Sequence, residues 1–191
     1  TRIDGHAAIA NNKALEIAGI KPGNKLEGGE IETKNGKLTG ILVDNAVDLV
    51  SAKIPAADEA QAKEALLLAQ KNCFATGLTS VHDCGLDHGD VEKIQKLQQS
   101  GDLKMRMYVM LSDAKKNFEW AFTNGKIKTD RLTVSGFKVY ADGALGSRGA
   151  CLLQPYSDKP DWTGFLLSSQ AHFDSVANII YQKGWQNFQH L

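Results

Sequence analysis

The sequence predicts an α/β fold: a parallel sheet with flanking helices, preceded by a separate helix-and-hairpin segment. Three observations predict it. From residue 57 onward, helical and strand-like patterns alternate in the order that builds parallel sheets from βαβ units. Before residue 57 the pattern differs, with an Asn-Gly pair between two extended runs. Composition is that of a globular chain with a core to bury: 42% hydrophobic and 23% charged residues, with a mean hydropathy of -0.28. A closed eight-fold βα barrel needs about 200 to 250 residues. At 191 residues, any barrel in this chain is part of one.

The elements follow in order. Asn11 or Asn12 caps a short helix whose apolar surface is Ala14, Leu15, Ile17 and Ala18, and Gly19 stops it. Asn35-Gly36 then turns a hairpin over residues 29 to 43, because both central residues of the tightest hairpin turn need positive φ. Between residues 56 and 76, Ala62, Ala65, Leu66, Ala69 and Cys73 fall on one helical stripe, ended by Gly77. LTSVHDCG is a brief strand, and Val91, Ile94 and Leu97 mark a helix that ends at Gly101. KMRMYVML is the next strand, followed by a helix around 113 to 123 and the strand RLTVSGFKVYADG. Phe173, Val176, Ala177 and Ile180 recur at helical spacing, with Ser168 as the cap and Gly184 as the stop. The division is therefore residues 1–56 as a helix and hairpin segment and 57–191 as the βα part, with strands near 78–83, 104–111, 131–141 and 185–190.

Charge narrows the partners. Lysine and arginine balance aspartate and glutamate at 22 each, and no basic stripe offers nucleic acid or an anionic membrane a footing. No run approaches the roughly 18 apolar residues of a spanning helix. The expected partner is a small-molecule substrate. Cys73, Cys84 and Cys151 form no CxxC pair, which speaks against a disulfide framework or a thiolate zinc site. The opening TRIDGHAAIANN lacks the charged start and apolar core of a secretory signal. A cytoplasmic location is expected on those two grounds. An incomplete parallel sheet leaves open edges, so self-association through them is expected as well.

Parallel sheets place their chemistry at the carboxyl ends of strands. That rule selects His82, Asp83 and Cys84 after the first of these strands, Asp142 and Gly143 after the third, and His190 at the last. Lys138 stands inside an otherwise apolar strand, sharing a face with Tyr140 and Asp142 while Phe137, Val139 and Ala141 share the other. A desolvated lysine loses its proton more easily, and the neutral amine can act as a base, as a nucleophile, or as the acceptor of CO₂ in a metal-ligating carbamate. The structural alternative is a stem lying on the sheet, with the head reaching water or pairing with Asp142. The glycines of DGALGSRGA allow a close backbone approach, but the spacing is neither GxGxxG nor a P-loop. Arg148 is a candidate clamp for a carboxylate or one half of a surface ion pair. His82 and Cys84 share a strand side, which suits either a Cys-His hydrolase pair or a buried, satisfied histidine beside an inert buried thiol. His6 is either a ligand-contacting group on a loop or solvated surface, and His88 and His172 are expected at the surface.

Three stretches together resemble one family. DGHAAIANNKALEIAGI, GLTSVHDCG and FKVYADGALGSRGACLLQPYSDKPDWTGFLL are similar to segments of the amidohydrolase superfamily, in the subgroup of N-substituted formamide deformylases and exoenzyme regulatory proteins. The likeness runs from residue 4 to about 186. It implies a partial (β/α)8, TIM-barrel-like sheet and a divalent metal, with zinc the expected ion. Lys138 occupies the position of the family's metal-ligating, carboxylatable lysine. GWQNFQH places His190 on the fifth-strand histidine, although Asn187, Phe188 and Gln189 replace its usual apolar filling and the following A-I-G-D is missing. His6, His82, Asp83, Asp142 and Arg148 are the implied substrate-binding or supporting residues.

The chain has no His-x-His, no sixth-strand histidine and no late aspartate. The resemblance therefore implies a central fragment of an enzyme that cleaves a C–N bond, amide or formamide-like, with metal-activated water. No catalytic residue lies within it, metal is absent or weakly bound, and the piece alone is expected to be inactive. The competing expectation is a non-catalytic small-molecule-binding or regulatory protein that keeps the barrel fold.

Overall fold

The structure, a computed structural model, describes residues 1–189 in full and the backbone of His190. The chain forms two compact units, one of residues 1–55 and 140–173, the other of residues 56–139 and 174–189. The second unit begins at Ala56. Residues 140–173, which the sequence reading places with the βα part, fold with the first unit.

In the first unit, β1 (Ala7–Ile9), β2 (Gly29–Lys34) and β3 (Lys37–Asp44) form an antiparallel sheet in the order β1-β3-β2. Asn35 and Gly36 turn the hairpin at φ 53° and 74°, as the dipeptide requires. Helix α1 (Asn12–Ile17) starts where the Asn11 side chain accepts the Ala14 N–H. Helix α2 (Asn45–Ser51) follows β3 without a linker. Leu15, Ile20, Leu42, Ala46 and Val47 close a small core between helices and sheet. Strand β1 and helix α2 are not predicted from sequence: three residues are too few to show alternation, and seven make barely two helical turns. Strand β1 exists because β3 offers it a partner, with Ala7 opposite Val43.

The second unit carries α3 (Glu59–Ala75), β4 (Ser80–Leu86), α4 (His88–Gln99), β5 (Arg106–Ser112), α5 (Lys115–Asn124), β6 (Ile127–Lys128) and β7 (Leu132–Tyr140), the last running to the unit boundary. Helix α6 (Gln170–Gln182) re-enters it and leads to β8 (Gln186–His190). The sheet order is β4-β5-β7-β6, with β8 also on β7. Strands β4, β5 and β7 run parallel, and the unpredicted two-residue β6 is antiparallel to β7. The predicted βα alternation is thus the observed one.

Strand period puts Phe137 and Val139 on the helix side of the sheet, where both are buried. Phe118 of α5 packs on Phe137 with ring centres 4.6 Å apart, and Trp185 joins from beyond α6 at 5.3 Å. Val91 and Ile94 of α4 bury alongside Val109 and Leu111 of β5. Helix α3 opens with a capping box in which Asp58 and Gln61 bond reciprocally. Its predicted apolar stripe is only partly covered: Ala62, Leu66 and Cys73 are half-buried, Ala65 and Ala69 are exposed, and no residue of α3 is fully buried among those described. At α6 the cap is Ser169, whose hydroxyl accepts the His172 N–H at 3.3 Å, rather than Ser168. No helix among the described residues is long and apolar enough to cross a membrane.

Candidate functional site

Lys138 lies near the carboxyl end of β7, opposite Ser112 of β5, and is only 7% exposed. A lysine so placed pays heavily for its charge. Burial pushes its pKa below the ordinary lysine value, and the nearby Cys84 and Asp113 act weakly in the other direction. The alternative in which its head reaches water is therefore not realised. A lowered pKa brings the neutral amine that a base, a nucleophile or a carbamate requires closer to reach.

Along β4 the side chains alternate. His82 and Cys84 are exposed while Asp83 is half-buried. The expectation of a buried histidine and a buried thiol fails: both are exposed on a strand that pairs only with β5 among the described residues. The His82 ring lies 5.4 Å from that of Tyr108, whose hydroxyl bonds to Ser135 at 2.8 Å and to Gln186. Asp83 faces the other way, beside Ala62 and Leu66 of α3 and Ile94 of α4. There burial raises its pKa, and Asp90 adds to the effect. Strand geometry therefore separates Asp83 from His82 and Cys84.

His88, expected at the surface, is half-buried. Its backbone N–H donates to Asn117 Oδ1 at 2.9 Å and its ring stacks on Trp120. Asn117, wholly buried, also donates to Asp87, the Ser112 carbonyl and the Ser112 hydroxyl. A neutral side chain thus ties together the ends of two strand-to-helix turns.

The first unit holds the remaining candidates. His6 Nδ1 lies 2.7 Å from Asp44 Oδ1, and the His6 ring meets Tyr140 edge-on at 6.4 Å. The Asp44 side chain is 1% exposed, and its Oδ2 has no hydrogen-bond partner among the described residues. Burial raises its pKa most, the His6 hydrogen bond and charge lower it, and Asp142 and Asp4 raise it again. The Asp44 backbone has φ 48° and ψ -125°, a strained state that costs on the order of 1–3 kcal/mol and persists only where its surroundings enforce it. The enforcement is visible in DGALGSRGA. A Cβ built on Gly143 or Gly149 would lie 2.2 or 2.1 Å from Asp44 Oδ2, so only glycine admits the carboxylate.

Asp142 is buried, accepting the Cys151 N–H at 2.8 Å through Oδ2, while Oδ1 has no hydrogen-bond partner among the described residues. Arg148 is exposed and grips Asp158 with two hydrogen bonds of 3.2 and 2.9 Å. The sequence reading missed Asp44. Its signal was an acid at the end of the apolar run GILV, where a strand delivers a charged group to the edge of a core. His190 closes β8, and its side chain lies outside the described residues.

The donor set can be tested against a metal. Among the described residues no group of three or more histidine, cysteine, aspartate or glutamate side chains is arranged to hold an ion. Lys138 is buried with its pKa lowered, and the described residues do not complete a metal centre around it.

A sheet with parallel βα strands and flanking helices puts the second unit in the α/β class, and comparison with known proteins specifies the family. The model of the amidohydrolase family matches residues 1–191, and the chain belongs to that family. It is 32% identical over 189 residues to YtcJ of Bacillus subtilis (strain 168), which carries the amidohydrolase name, covering 95% of this chain and 35% of that protein. It is 27% identical over 174 residues to the protein LONG AFTER FAR-RED 3 of Arabidopsis thaliana, covering 84% of this chain and 30% of that one. Crystal structures described as uncharacterized metal-dependent hydrolases share its fold. That from Pyrococcus horikoshii OT3 superposes with a TM-score of 0.72 at 22% identity, covering 97% of this chain and 37% of that one. That from Pyrococcus furiosus gives 0.71 at 24% identity, covering 97% and 38%. The chain thus spans about a third of the length of the curated relatives it matches.

Proposed function

We propose that this chain is the central part of a metal-dependent hydrolase that cleaves a C–N bond, amide or formamide-like, and that it contributes Lys138 and His190 to a divalent metal centre completed by residues outside it. The observation that carries this reading is Lys138, buried on an apolar strand with its charge disfavoured. Its neutral amine adds to CO₂, forming the N–C bond of a carbamate and releasing one proton, and the lysine becomes an anionic oxygen donor. Zinc is the metal we expect, and when bound it polarises a carbonyl and lowers the pKa of water. The names of the Pyrococcus hydrolases support metal dependence, and the family supports hydrolysis. Of the remaining candidates, His6 and Asp142 are proposed to support substrate binding in the first unit. Arg148 and Asp83 are already engaged in other contacts, with Asp158 and with the helix layer.

The test uses the longer protein that this reading requires. Its metal content is expected to be stoichiometric and its intact mass to include a CO₂-sized increment. Lys138→Gln is expected to strip the metal and to lower hydrolysis of an N-substituted formamide by at least about 100-fold. Full activity in metal-free protein, with no increment on Lys138, overturns the proposal.

A further inference from the structure

Strand β7 carries one residue too many for its ladder. Val109 and Leu111 of β5 are two residues apart, and they stand opposite Val134 and Phe137, which are three apart. Met110 between them faces Gly136, so Ser135 is the extra residue of a β-bulge. Every side chain beyond it changes face. Lys138 comes four places after Val134, and at strand period two it would share that residue's side of the sheet. With Ser135 inserted, Phe137 and Val139 take the helix side, and Lys138 stands opposite Ser112 on the face away from α5. The apolar pattern demands this change of parity, because Leu132 and Val134 before the bulge and Phe137 and Val139 after it are all buried. A lysine on the helix side would lie among the rings that cover Phe137, out of reach of any ligand.

Side chains of three strands hold the bulge. Gln186 Oε1 accepts from Tyr108 and lies 3.2 Å from the Ser135 hydroxyl, which meets the Tyr108 hydroxyl at 2.8 Å. Strands β5, β7 and β8 are thereby tied together at the inserted residue. Beside it, a Cβ on Gly136 would lie 2.6 Å from Phe188 of β8 and 3.1 Å from the Gln186 carbonyl, so glycine is what lets β8 close on the bulge. Bulges of this kind re-aim side chains next to functional sites. The geometry points to Ser135 as a positioning residue: its hydroxyl, held by Tyr108 and Gln186, keeps the bulge that turns Lys138 away from the helices. The inference deepens the reading of Lys138 as a metal ligand and rests on it for its functional consequence, whereas the placement of the side chain is a property of the second unit alone.

The experiment reads placement and metal binding separately. In the 191-residue chain, NMR cross-peaks are expected from Lys138 to Ser112 and from Phe137 to Phe118. Deleting Ser135 removes the extra residue and leaves a regular ladder, so both are expected to persist. In a ladder without the bulge the same deletion would swing Lys138 onto Phe118. Ser135→Ala is expected to speed amide exchange at Gly136 and Lys138 by about fivefold, and Ser135→Thr, which keeps a hydroxyl, to restore it. In the longer protein Ser135→Ala is expected to weaken zinc binding by about tenfold, with recovery in Ser135→Thr. Cross-peaks from Lys138 to Phe118 after the deletion, wild-type exchange in Ser135→Ala, or unchanged zinc affinity in that variant overturns the proposal. If the deletion variant fails to fold, Ser135→Ala and Ser135→Thr carry the test. A longer protein that binds no zinc sinks the reading of Lys138 instead, and the exchange rates and cross-peaks then decide the role of Ser135 by themselves.

Discussion

Strands β7 and β4 belong to the same sheet of the second unit, and their fates are opposite. On β7, Leu132, Val134, Phe137 and Val139 are all buried, and so is the ionisable Lys138 among them. On β4 every residue is exposed or half-buried. Both runs are short and contain β-branched residues, so strand propensity does not separate them. Neighbours do. Strand β7 has β5, β6 and β8 beside it and the aromatic rings of α5 over Phe137. Strand β4 pairs only with β5 among the described residues, under a helix with no fully buried residue. A polar group becomes chemically unusual only where its surroundings are dry, which is why the lysine of β7 is perturbed by burial while the histidine and cysteine of β4 remain exposed.

The sharpest way to break the contrast is to remove what makes β7 dry. Phe137→Ala is expected to cost about 3–5 kcal/mol, read from the urea midpoint, because it empties a site between Phe118 and Trp185. A loss below about 1 kcal/mol would mean that β7 is no better packed than β4. Asn117→Ala should cost about 1–3 kcal/mol, since it leaves the His88 N–H and the Ser112 groups without their buried partner. Unchanged stability would show that water replaces it readily.

Asp83 tests the half-covered side of β4 through pH. Its folded pKa is raised, by burial first and by Asp90 second. Its favourable contribution is therefore complete below the ordinary carboxylate value and is lost as pH rises through the raised one. Asp83→Asn should then be neutral near about pH 3 and stabilising near about pH 7 by roughly 1 kcal/mol or less. Equal effects at both values would remove the burial argument. Smallest of all, Leu68→Ala on exposed α3 should change stability by under about 0.5 kcal/mol. Measuring that midpoint across protein concentrations sharpens the comparison. A rise with concentration, together with a larger cost for Leu68→Ala, is the signature of chains associating through the β4 and α3 edge.

Much of this architecture was legible in the sequence because its signals are local. Asn35-Gly36 turns the hairpin through its own backbone preferences, and the apolar period of α4 and α6 survives any packing. Lys138 was legible for the same kind of reason, since an ionisable residue among Phe137, Val139 and Ala141 is costly on any strand. Asp44 was not, because its significance comes from His6, Gly143 and Gly149, residues far away in sequence. Nor was the exposure of His82 and Cys84, which depends on what lies beside β4.

By itself, then, the sequence determined the βα order, the turn chemistry, the family motifs and the lysine that the strand must desolvate. All of these are set by spacings of a few residues, over which backbone geometry and side-chain period act. Only the tertiary structure decided that residues 140–173 join the first unit, that Asp44 is buried against two glycines with one oxygen unanswered, and that His82 and Cys84 are exposed. Burial and hydrogen bonding are sums over neighbours in space, and those neighbours exist only once the chain has folded.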